Sequence, residues 1–117
     1  MRHIVFAAFL MSMSTLHSYA QSSSDQATAE LLVRQCELVG TESNPVWCFG
    51  FLTGIRFGIE ATDARSGQPE ICFPRSTSTD QLRKIFLKYM EDHPANLHYG
   101  PGYMAYLAFL GAFPCTK

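Results

Sequence analysis

A chain of 117 residues has room for one domain and one hydrophobic core. Hydrophobic residues make up 47% and charged residues 16%, which excludes a disordered acidic or basic tail as the main body. The formal net charge of −1 offers no basic patch of the kind that nucleic acid demands, and no nucleic-acid or membrane partner is expected.

The N-terminus has the three parts of a secretory signal. Arg2 and His3 precede an apolar run from Ile4 to Met13, and Ser18-Tyr19-Ala20 supplies small residues where a signal peptidase would cut. The apolar run is about half the ~20 residues needed to span a bilayer. Residues 1–20 are therefore expected to be a cleaved export signal, leaving 21–117 as a single exported helical domain. Losing Arg2 leaves eight basic and ten acidic side chains.

From Asp25 the pattern becomes helical. Ala29, Leu32, Cys36 and Val39 recur at three and four, opposite Glu30, Arg34 and Glu37, and Gly40 is a natural stop. Asn44-Pro45 opens a second helix, expected to run to about Asp63. Trp47, Cys48, Phe51, Leu52, Ile55 and Ile59 form its apolar face. Thr53, Arg56, Glu60 and Asp63 form the polar one, where Arg56 and Glu60 are one turn apart and able to pair. Gly50, Gly54 and Gly58 repeat every four residues beside the apolar face. Each costs about 1 kcal/mol relative to alanine inside a helix, so the stripe predicts close approach of another backbone. Phe49 stands within the polar face and is expected to be exposed.

Ala64 to Pro74 is read as a loop. Ser78-Thr79-Asp80-Gln81 has the form of a capping box. It introduces a third helix with Leu82, Ile85, Phe86, Tyr89 and Met90 inward. Arg83, Lys84, Lys88 and Glu91 are placed outward, with Leu87 exposed among them. Pro94 ends that helix. After a turn, Pro101 opens a fourth helix reaching Phe113, and Pro114 closes it. No charged residue lies between Tyr99 and Cys115. A helix apolar all round needs burial all round. Three short partners are expected to leave part of it for another molecule, a second copy of the chain being the candidate.

The four cysteines, Cys36, Cys48, Cys72 and Cys115, all follow the export signal, and an even number in a short exported chain reads as two disulfides. Counting alone allows three connectivities. In an antiparallel helix pair, positions equally far from the connecting turn lie opposite one another, so Cys36 faces Cys48 across the first hairpin. Cys72 precedes the third helix and Cys115 follows the fourth, so packing of that pair joins them. The expected architecture is an all-α, disulfide-stapled four-helix domain of two antiparallel hairpins.

No catalytic constellation accompanies this scaffold. Oxidised cysteines provide no thiolate, the serines lack a strand–turn–helix elbow, and the glycines sit at helical rather than phosphate-loop spacing. His93 and His98 lack a third ligand for a metal. The reading is of a binding protein without cofactor or metal, not an enzyme. Its candidate contacts are Phe49 and Leu87, then Arg65, Gln68 and Glu70 of the Ala64–Glu70 segment, and Asn96 and His98 of the Asp92–Gly102 turn.

A set of short motifs runs the length of this domain: Leu31-Leu32 and Cys36, then Cys48-x-Gly50-Phe51-x-x-Gly54, then Ile71-Cys72-x-Pro74. Gln81-Leu82, His93-Pro94-x-x-Leu97-His98 and Phe113-Pro114-Cys115 complete it. Their order and spacing resemble the Rap/Tai immunity proteins of type VI secretion systems. Phe51 departs from the tyrosine usual there and loses a hydroxyl. Gly100-Pro101-Gly102 is less helix-friendly than the usual stretch. The resemblance implies a small periplasmic helical domain, often dimeric, that binds and blocks a peptidoglycan-cleaving amidase effector. A different class with the same size, export and bridges is a periplasmic acid-stress chaperone, whose client surface here would be the apolar fourth helix.

Overall fold

A computed structural model describes residues 27–38, 40 and 46–116, in which four α-helices and one short 3-10 turn account for the regular structure. The export signal, Val39 and the Asn44-Pro45 helix start lie outside the described residues.

Helix α1 spans Ala29–Glu37. Thr28 caps it, its Oγ1 accepting from the Leu31 amide at 3.4 Å. Two further amides at this end donate across the fold: Ala29 N to Tyr99 O at 2.8 Å, and Glu30 N to Leu97 O at 3.0 Å. Free N–H groups of a first turn need acceptors, and the carbonyls of the 97–99 turn supply two. That turn is thereby tied to α1.

Helix α2 spans Val46–Ser66, three residues longer than expected. Ala64, Arg65 and Ser66 are its last turn rather than loop, because nothing breaks a helix until Gly67. There the backbone turns left-handed, with φ +67°. Ser66 closes the end by donating to Asp63 O at 3.2 Å and accepting from Gln68 N at 3.1 Å.

Helix α3 spans Thr79–Asp92, and its capping box is complete. Gln81 N donates to Ser78 Oγ at 3.1 Å, and Ser78 N to Gln81 Oε1 at 2.7 Å. Replacing Ser78 with alanine removes one half of this exchange. A loss of about 1 kcal/mol in unfolding free energy is expected, and denaturant titration would read it. A 3-10 turn, Pro94–Asn96, follows. Helix α4 then runs Pro101–Ala112, with Phe113 as its cap.

Helix α3 is central, packing against α1, α2 and α4. The core contains Leu32, Leu52, Leu82, Phe86, Met104 and Phe109, all at most 1% exposed. Both expected disulfides are present, Cys36–Cys48 with Cα atoms 5.1 Å apart and Cys72–Cys115 with 4.9 Å. Beside the second, Ile71 and Pro114 form an isolated antiparallel bridge. Cys72 N donates to Phe113 O at 2.8 Å and Cys115 N to Glu70 O at 3.1 Å, so the chain end is laced to the α2–α3 connection.

Several expectations about faces need correction. Arg83 is not turned outward: its side chain is only 17% exposed. It pairs with Asp80 at 2.8 Å and donates from Nη1 to the Cys36 carbonyl at 3.3 Å, linking α3 to the end of α1. Phe49 and Leu87 are not exposed anchors, since both are half-buried and packed against the core. Helices α2 and α3 each touch all three others, which widens the covered arc beyond a single stripe. Helix α4 is also better covered than expected. Pro101, Met104, Ala105, Ala108 and Phe109 are buried, Tyr106, Leu107 and Leu110 are half-buried, and Tyr103 is its one large side chain left open. Other open apolar side chains lie on α2, at Val46, Trp47 and Phe57, and on α1, at Leu31.

Candidate functional site

A concavity among the described residues runs between α2, α4 and the 67–71 connection, with a volume of about 590 Å³. Its floor is aliphatic, from Ile55 and Ile59 of α2 and Ile71 of the connection. Gly54, Gly58 and Gly102 contribute bare backbone, and Thr62, Ser66 and Gln68 bring polar side chains to one end. Asp63, Glu70 and Tyr106 complete the lining. Glycine carries no side chain to fill the space between helices, which leaves the depression open.

The glycine stripe of α2 therefore does something other than expected. A Cβ built at Gly50, Gly54 or Gly58 meets nothing within 4 Å among the described residues, so no described part of this chain packs closely there. The close approach of α2 and α4 occurs at Gly102, where a Cβ would stand 3.3 Å from Ile55 Cδ1. The spacing rule found a stripe but not the contact, because the signal at Gly102 is a single glycine in a helix's first turn. Within the isolated chain the stripe is pure cost. Changing Gly50, Gly54 and Gly58 together to alanine is expected to stabilise the fold by about 2–3 kcal/mol. Thermal unfolding of the triple variant would show a raised Tm.

Electrostatics set this groove apart. Its two charged lining residues are both acidic, Asp63 and Glu70. Elsewhere acids are paired with bases: Glu30 with Arg34, Glu60 with Arg56 at 3.0 Å, and Asp80 with Arg83 and Lys84 at 2.8 and 2.9 Å. Lys88 serves Glu91 and Asp92 at 3.8 and 2.6 Å. Among the described residues only Glu37, Asp63 and Glu70 have no cation within that reach. Glu70 instead accepts a hydrogen bond from the Tyr106 hydroxyl. That bond to the carboxylate, together with burial, holds the Tyr106 phenol above its ordinary pKa.

Arg56 has a structural use. Its Nη1 donates to Thr77 O at 2.9 Å, and its guanidinium lies 5.2 Å from the centroid of the Phe73 ring. Side-chain hydroxyls reinforce the same junction, with Thr53 Oγ1 3.2 Å from Thr79 Oγ1. The cation thus staples α2 to the strap that leads into α3.

The seven residues expected to touch a partner do not form one surface. Gln68 and Glu70 line the groove, with Arg65 exposed in the last turn of α2. Leu87 lines a second depression with Val33, Met90 and Leu97 between α1 and α3. Asn96 is half-buried within the 93–99 turn, its carbonyl accepting from Tyr99 N at 3.1 Å. His98 is exposed with its ring 4.1 Å from that of Tyr99. Phe49 belongs with the core. Reasoning from the sequence missed Phe57, 61% exposed, and Tyr103, 60% exposed. Counting helical steps from Gly50 and Gly54 would have put Phe57 on their bare side.

His93 stacks on Tyr89 with ring centroids 4.1 Å apart. Its Nδ1 is 2.7 Å from Tyr89 O, an atom that can only accept, so this nitrogen carries a proton. Among the described residues no group of three His, Cys, Asp or Glu side chains is placed to hold a metal ion. No described helix is long and apolar enough to cross a membrane. All four cysteines are oxidised.

A family model described as Rap1a immunity proteins matches residues 27–115. No curated protein and no solved structure matches the chain.

Proposed function

The chain belongs to the Rap1a immunity protein family, and from that premise we propose that it protects its producer by binding and blocking a peptidoglycan amidase delivered by type VI secretion. Membership gives the coarser statement, an immunity protein directed at a secreted protein effector. The amidase, the secretion route and the periplasmic site are our reading. The observation that carries it is the extent of the match. Residues 27–115 include every described helix and both disulfides, so what is shared is the whole scaffold and not a local motif.

Physical arguments support the compartment and the mode of action. Disulfides form and persist in oxidising compartments such as the bacterial periplasm, which agrees with the export pattern of residues 1–20. Occluding a cleft requires a rigid complementary surface and no reactive group. Two covalent bridges and a central α3 provide the rigidity. A homodimer belongs to the same reading, and light scattering of the oxidised mature chain tests it.

The decisive experiment is a binding and inhibition assay with oxidised mature protein and the wall-degrading enzymes secreted by the producing strain. One of them should form a stable complex and lose its activity on isolated peptidoglycan, with half-inhibition near stoichiometric ratio. If every such enzyme keeps full activity in excess protein, the proposal is wrong.

A further inference from the structure

We propose that the groove between α2 and α4 is a docking site for a short polypeptide segment of the effector carrying aliphatic side chains beside a lysine or arginine. This rests on the immunity reading and goes beyond it by assigning a face and a chemistry.

Three observations converge on that occupant. The floor at Ile55, Ile59 and Ile71 is aliphatic, and an aliphatic side chain is what such a surface takes from water. The rim carries Asp63 and Glu70, two of the three carboxylates among the described residues that no base neutralises, and no lining residue is basic. An incoming cation meets attraction from both and repulsion from no lining group. Finally, nothing stands within 4 Å of a Cβ at Gly54 or Gly58, so an incoming backbone can come closer to α2 than any side chain would permit. The volume of about 590 Å³ suits a few side chains, not a whole helix. Charge also argues against a second copy of this chain seated symmetrically here, since the same acidic rim would face itself.

The test uses the oxidised mature chain, labelled with nitrogen-15, and three synthetic peptides. Leu-Arg-Leu, Leu-Glu-Leu and Ser-Arg-Ser cores are each flanked by glycine and serine. The Leu-Arg-Leu peptide should shift the amide signals of Gly54, Gly58 and Gly102, binding about tenfold or more tighter than either counterpart. The Asp63→Lys/Glu70→Lys variant should lose that preference and favour the Leu-Glu-Leu peptide. Gly58→Leu introduces a better helix former into open space and keeps the fold, yet should abolish the shifts by filling the groove. Equal shifts from all three peptides, or none at the groove at about 1 mM, overturn the proposal.

An inhibited effector gives a second, separable readout. Its affinity should fall about tenfold or more in both variants, whereas equal binding to wild type and variants overturns the groove while leaving the immunity function intact. Groove binding by the peptide with no inhibited effector supports the groove and counts against the immunity function.

Discussion

Replacing Cys72 and Cys115 together with alanine is expected to lower the unfolding free energy by about 4 kcal/mol. The bridge spans a sequence separation of 43, and closing a loop of that size removes entropy from the unfolded chain worth about 4 kcal/mol. The folded state loses little directly, because the same ends remain joined by the Cys72 N–Phe113 O and Cys115 N–Glu70 O hydrogen bonds. Those bonds are local to the bridge and do not restrain the denatured ensemble. The shorter Cys36–Cys48 bridge, separation 12, contributes about 3 kcal/mol by the same relation. Full reduction therefore removes about 7 kcal/mol, comparable with the entire net stability of a domain this size. Denaturant titrations of wild type with and without reductant, and of each double variant, separate the two contributions. A loss below about 1 kcal/mol for the Cys72/Cys115 variant would show that the unfolded chain is already closed on itself. Reductant should also attack this bridge first, because Cys72 is exposed while Cys36 and Cys48 are 0% and 1% exposed.

Phe109→Ala is the single substitution expected to cost most, about 3–5 kcal/mol. Phe109 is fully buried on α4. Its ring and that of Phe73 meet in a T-shaped arrangement at a centroid distance of 5.6 Å, and Phe73 in turn lies 5.4 Å from Phe113. Removing the ring leaves a cavity and also unseats Phe73, over which the Arg56 guanidinium is held. The junction of α2, the strap before α3 and the end of α4 loosens together. Phe113→Ala makes the comparison informative: Phe113 is only half-buried, so its truncation should cost clearly less than that of Phe109. Equal losses would mean that the cluster, not the buried position, sets the energy.

Much of the fold was legible because its signals act over a few residues. Ser78 and Gln81 form a capping box through two hydrogen bonds that any chain with this spacing can make. Pro94 and Pro101 mark a helix end and a helix start through their fixed φ and missing N–H. The two disulfide pairings followed from where each cysteine stood relative to a helix end. The candidate site was less legible. Gln68 and Glu70 do reach the groove. Asp63 and Tyr106 were not singled out, because their meeting depends on how α4 lies along α2.

The same division runs through α2. Its helicity, its apolar face and the Arg56–Glu60 pair are properties of one helix and its periodicity, and the amino-acid order determines them alone. Whether Phe49 is covered while Phe57 is open depends on which arc of that helix its three neighbours occupy. The order of residues also shows that Gly50, Gly54 and Gly58 line up. Only the packed structure decides that they face open space while Gly102 takes the close contact. Helix periodicity is a local property of one backbone, whereas covering a face requires surfaces far apart in the chain to meet. That meeting is settled by how the whole core fills its volume.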